Sequence, residues 1–162
     1  MKQEQRKYWN AKRFEQKGNR YLFAFSGENV GSVRFGGDVK IYLSDDFLTR
    51  IDLWMPFTFT RHGQTQICEP SETTSLIPLL ALVGSKLIKA VADRDGFLSL
   101  EFDNGITLEA PSDQSEHRWE AWQIGDRHGF QIVCAIGGRL AIWIPDAETS
   151  RRRNKEGNIW FD

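Results

Sequence analysis

From residue 20 onward, apolar side chains recur at about every second position. Runs at 20–25, 32–35, 39–43, 49–53, 57–61 and 64–68 are separated by Gly27, Gly36-Gly37, Asp45-Asp46, Pro56 and Gly63. Period two sends alternate side chains to opposite faces, so each run predicts a short strand with one buried face. The pattern resumes at 86–92, 97–102, 106–110, 118–124, 130–135 and 140–144. Between the two sets, Leu76, Ile77, Leu79, Leu80 and Leu82 predict a short buried helix over 73–83, with Pro78 near its first turn and Gly84 as its stop. Residues 1–17 are polar apart from Tyr8, Trp9 and Phe14; they predict an amphipathic helix ended by Gly18, or a segment ordered only on docking.

The clearest local signal is Asp103-Asn104-Gly105 between the alternating runs 98–102 and 106–109. Asn-Gly favours the positive backbone dihedrals of a tight hairpin. A second hairpin is expected over 116–143, with Trp122 and Trp143 as core aromatics. A weak internal repeat aligns 30–32 with 83–85 and 37–46 with 95–104, which implies two related sheets or two halves of one curved sheet. The fold class expected is therefore α+β, mainly antiparallel strands in one or two curved sheets, with an N-terminal helix and a short central helix. Residues 1–18 read as a basic arm, 19–144 as a single β-rich domain, and 145–162 as a polar tail.

Composition narrows the class. The 162 residues are 40% hydrophobic and 12% aromatic, ample for one core. No apolar run approaches the ~18 residues of a membrane-spanning helix, and the basic N-terminus lacks the apolar centre of a secretory signal. The cytoplasm is the expected compartment, with no membrane partner. Cys68 and Cys134, both in apolar strand-like settings, read as buried reduced thiols. Net charge is −1, but residues 1–20 hold seven Lys or Arg against two Glu, whereas residues 21–144 hold ten against sixteen acidic side chains. An acidic body repels nucleic acid and attracts basic surfaces.

Catalytic patterns are weak. His62, His117 and His128 show no metal-ligand spacing with one another or with the cysteines, and Gly36-Gly37 and Gly137-Gly138 join strands rather than opening helices as phosphate loops do. A Cys134 pair with His117 or His128 would need a thiolate-stabilising setting not evident here. The abundant carboxylates read as solvated unless they converge in a cleft. No catalytic residue, metal or cofactor is expected.

Three motifs stand in order in the second half: 96–105 (GFLSLEFDNG), Glu120-Ala121-Trp122, and Gly137-Gly138-Arg139-Leu140-Ala141-Ile142-Trp143. Over roughly residues 30–144 the chain resembles a family of small, mostly uncharacterised bacterial proteins with the signature G-x-L-x-L-x-F-x-[DN]-G, E-A-W and G-G-x-L-A-[IV]-W. That resemblance implies an immunity-type protein, a non-enzymatic partner of a bacterial toxin, and brings no catalytic residues. An inhibitor of a basic nuclease would face it with carboxylates around an aromatic anchor. The expected contacts are Asp45, Asp46, Glu69, Glu72, Asp103, Asp113 and Glu116, with Trp54 as anchor. The alternative is a nucleic-acid-associated protein that uses the basic arm and Arg151, Arg152 and Arg153 on phosphates.

Overall fold

A computed structural model describes residues 12–112 and 120–144. Its strands are β1 (Phe14–Lys17), β2 (Arg20–Phe23), β3 (Val30–Phe35), β4 (Val39–Leu43), β5 (Arg50–Leu53), β6 (Phe57–Arg61), β7 (Gln64–Cys68), β8 (Leu87–Asp93), β9 (Leu98–Phe102), β10 (Ile106–Ala110), β11 (Trp122–Gly125), β12 (Gln131–Cys134) and β13 (Leu140–Trp143). All described pairings are antiparallel. They form a seven-stranded sheet in the order β1-β2-β8-β9-β10-β6-β7 and a six-stranded sheet in the order β13-β12-β11-β5-β4-β3. The inward face of each strand supplies one shared core: Val39, Ile41, Ile51, Leu53, Trp122, Ile124 and Ile132 from the smaller sheet meet Phe57, Ala92, Leu98, Leu100, Ile106 and Leu108 from the larger.

The expected N-terminal helix is corrected where it can be seen. Residues 1–11 lie outside the described residues, but Phe14–Lys17 is a strand paired with β2 in the register Lys17↔Arg20. Gly18, at φ 60°, is the first central residue of a two-residue hairpin turn rather than a helix stop. The short central helix is present where expected, but most of it is not α-helical. One α-helical turn, α1 (Thr73–Leu76), runs into a 3-10 helix (Ile77–Leu82) with Pro78 in its first turn. At three residues per turn, side chains spaced by three share a face. Leu76, Leu79 and Leu82 are therefore fully buried, while Ile77 and Leu80 are turned outward at 57% exposure each.

The hairpin at Asp103-Asn104-Gly105 forms, yet only Gly105 takes a positive φ (79°), with its N–H on Phe102 O at 3.1 Å. That is a three-residue turn with a left-handed glycine at its end.

The internal repeat is present as architecture in a different register. Val33 pairs with Ile41 and Phe35 with Val39, just as Ala90 pairs with Leu100 and Ala92 with Leu98, and both hairpins carry a bulge after their first pair, Val30↔Leu43 and Leu87↔Phe102. The sequence alignment placed Val39 on Phe97, one residue out of phase, which in a period-two element exchanges the buried and outward faces. The correspondence continues through β6 and β11, where Phe57↔Cys68 matches Trp122↔Cys134. Each unit thus contributes three strands to one sheet and two to the other. The units meet at the bridge Asn29↔Lys86, flanked by Val30 N–H to Ser85 O (2.8 Å) and its counterpart, Leu87 N–H to Glu28 O (2.9 Å). Among the described residues, the β1–β2 hairpin and β13 have no counterpart in this symmetry, and the helical segment 73–82 that follows β7 is matched after β12 only by the short 3-10 turn Ile136–Gly138.

Candidate functional site

The helical segment that links the two units carries a run of exposed aliphatic side chains. It is anchored at its start by Ser75, whose Oγ donates to Glu72 O (2.8 Å) and accepts the Glu69 N–H (2.8 Å), and at its end by Asn104, whose Nδ2 donates to Ala81 O (2.8 Å). Held at both ends, it presents Ile77, Leu80 and Val83 at 57%, 57% and 50% exposure. Their spacing of three places them along one line. Exposed Glu72 and half-buried Glu69 stand at the start of this apolar ridge, and exposed Asp103 adjoins its end through Asn104. Beside it, a groove of about 670 Å³ opens against the β6–β7 hairpin, floored by Phe59, Pro78 and Ala81 and walled by Arg61, Gln64 and Gln66.

The expected contacts do not converge on one spot. Trp54, half-buried on the crossing from β5 to β6, donates its backbone N–H to Ala121 O (3.1 Å) and lies toward the Glu69 end, since Phe57 just after it pairs with Cys68. Asp46 and Asp103 share the opposite end, since Ser44 N–H binds Asn29 O, Asn29 bridges Lys86, and Asp103 N–H binds Lys86 O. Asp113 and Glu116 lie outside the described residues.

Asp45 is turned inward. It is 8% exposed, accepts the Thr49 N–H at 2.7 Å and the Thr49 hydroxyl, and lies 3.9 Å from Arg13. Arg13, 9% exposed, also reaches Thr49 Oγ1 (2.9 Å) and Asp126 (3.3 Å), and its guanidinium lies 4.3 Å from the centre of the Phe47 ring. Asp126 accepts the N–H groups of His128 and Phe130. Burial pushes its carboxyl above the ordinary range, opposed chiefly by Arg13. The cluster is a structural lock between the N-terminal segment and two loops of the six-stranded sheet. Lys17 of the basic arm and Arg20 at the start of β2 are likewise close to carboxylates, Glu15 and Asp93.

The outward face of the six-stranded sheet carries a second buried carboxylate. Asp52 is fully buried, 2.8 Å from Arg50 Nε, and accepts the Gln123 side-chain amide at 3.2 Å. Burial raises its carboxyl above 3.8, against the pull of Arg50 and Lys40. A carboxylate whose folded value is raised stabilises the fold fully below 3.8 and loses that contribution as pH rises through the folded value. Asp52→Asn should therefore be at least as stable as the parent at pH 7, with the difference shrinking toward pH 4. Urea midpoints at several pH values measure it, and a variant weakest at pH 7 would refute this account.

The three sequence motifs meet at one junction. Trp122 Nε1 donates to Gly96 O at 2.7 Å. A Cβ on Gly96 would lie 2.6 Å from Cys134 Sγ and 2.7 Å from Gly138 O, and one on Gly138 would lie 2.5 Å from Asp95 O. Close backbone approach accounts for both glycines. Trp122 is fully buried as expected; Trp143, on the outward face of β13, is 50% exposed and is not a core residue. Cys68 and Cys134 are buried free thiols, and burial raises the Cys68 thiol. The described residues hold no group of three or more His, Cys, Asp or Glu arranged to bind a metal, and no helix among them is long and apolar enough to cross a membrane.

A family model matches residues 22–144, from within β2 to one residue past β13. The chain belongs to DUF6188, a family of unknown function. The DUF6188 match includes the helical linker and the Gly96–Trp122–Gly138 junction, and leaves β1 outside. No curated protein and no solved structure matches the chain. The ridge itself was missed in the sequence because all five aliphatics over 76–82 read as buried; the Pro78 that shortens the α-helix was the available signal.

Proposed function

We propose that this protein is a non-enzymatic binding protein of the immunity type, which neutralises a cognate bacterial toxin with a basic surface by covering it. What supports the reading is the ridge of Ile77, Leu80 and Val83 with Glu69, Glu72 and Asp103 at its two ends. Protein interfaces combine a desolvated apolar centre with a charged rim, and aliphatic side chains exposed in a line cost solubility unless something covers them. Carboxylates around that centre would steer a cationic partner and speed encounter. The acidic balance of residues 21–144 acts in the same direction.

The test is co-purification with the product of the adjacent gene, followed by binding measurements on single variants. Leu80→Asp, on an exposed side chain, should leave the fold intact and weaken binding at least tenfold, as expected for a charge placed in an interface centre. Glu72→Lys with Asp103→Lys should slow association and reduce its salt dependence. Binding that is indifferent to Leu80→Asp would remove the ridge from the interface. Failure to bind or protect against any neighbouring effector would remove the function.

A further inference from the structure

The groove beside the ridge differs in charge from the rest of the body. Among the described residues, its lining contains Arg61 and His62 and no carboxylate, although acidic side chains outnumber basic ones sixteen to ten over residues 21–144. Arg61 is exposed and makes no hydrogen bond or ion pair among the described residues. It projects from the same face of β6 as Phe59, opposite Gln64, while Gln66 stands opposite Phe59. The Gln66 amide is steadied by donation to Ser75 O at 3.2 Å. Across from these lie Ile77, Pro78 and Ala81, so an apolar floor leads directly to an uncompensated guanidinium.

We propose that this groove seats an apolar side chain of a partner polypeptide together with an adjoining carboxylate, which meets Arg61. Guanidinium recognises carboxylate by a planar two-point contact, and the neighbouring amides can supply further donors. Ile77 belongs to both the groove and the ridge, so one protein partner would cover both; the inference rests on the protein-binding reading above. The partner's surface would then be mixed, cationic opposite Glu69, Glu72 and Asp103 and anionic at this one point.

The test is a titration of the full-length protein, followed by amide NMR, with three capped dipeptides: acetyl-Phe-Glu-amide, acetyl-Phe-Lys-amide and acetyl-Gly-Glu-amide. Acetyl-Phe-Glu-amide should give saturable shifts at the Gln64 and Gln66 side-chain amides and at Ala81, with the other two at least fivefold weaker. Arg61→Gln should weaken it at least fivefold without altering the rest of the spectrum. Equal binding of the Lys peptide, no saturable shift, or indifference to Arg61→Gln would overturn the assignment. A toxin partner that is lost with Leu80→Asp but held normally by Arg61→Gln would refute the groove alone; dipeptide binding without any toxin partner would refute the immunity reading alone.

Discussion

Trp122→Ala should cost about 3–5 kcal/mol of stability, the range for removing a fully buried large aromatic, and for a chain of this length that lowers the melting temperature by roughly 10 °C or more. The indole is fully buried and does two things at once. Its rings fill the space between the sheets at the pair Trp122↔Cys134, and its N–H satisfies Gly96 O on the turn that joins β8 to β9. Truncation opens a cavity and also strands a carbonyl of the other sheet. Trp122→Phe separates the two effects: it keeps most of the volume and loses the hydrogen bond, so about 1–3 kcal/mol is expected. Urea unfolding of both variants measures the difference, and a Trp122→Ala protein within 1 kcal/mol of the parent would contradict the assigned packing.

Arg13→Ala should be nearly as damaging, about 3 kcal/mol or more, because a buried ion pair that loses one partner leaves the other charge in place without compensation. Here two carboxylates are left, Asp45 and Asp126, with side chains 3% and 0% exposed. The loss should be partly recovered in the double variant Arg13→Ala with Asp126→Asn, since the second change removes one stranded charge. Recovery in that cycle, read by thermal or urea unfolding, is the signature of the lock. If instead the two changes simply add, Arg13 and Asp126 do not act on each other. Hydrogen exchange offers a second reading: the Ala24 amide, bonded to Arg13 O at 2.9 Å, should lose protection in Arg13→Ala.

Much of the strand content was legible because buried and outward positions alternate along β4, β6 and β10, whereas β7 is exposed up to Cys68 and was marked by the turn at Gly63. The spans 39–43, 57–61, 64–68 and 106–110 coincide with β4, β6, β7 and β10. In each hairpin the apolar face and the turn residues agree, so local and global preferences select one register. The N-terminal stretch was misread because its only visible punctuation, Gly18, serves a hairpin as readily as a helix end. What decides between them is β2, which β1 pairs with, and the packing of Phe14 against Tyr21 and Phe130. Asp45 and Asp46 are adjacent acidic residues in one turn, yet one is enclosed with Arg13 and the other faces water. No composition rule separates them, because the enclosing cation comes from more than thirty positions earlier in the chain.

By itself, the order of side chains determined that this protein is mainly antiparallel sheet, where most of its turns fall, and that its two cysteines and Trp122 are buried. Period-two hydrophobicity and turn chemistry are local properties, readable within a few residues. Only the tertiary structure decided that the strands of each unit are shared between two sheets, that Gly96, Trp122 and Gly138 meet, and that Ile77, Leu80 and Val83 remain in water. Those outcomes depend on which distant segment occupies the space beside a residue, and on a helix tightened to three residues per turn, which turns half of an apolar run away from the core.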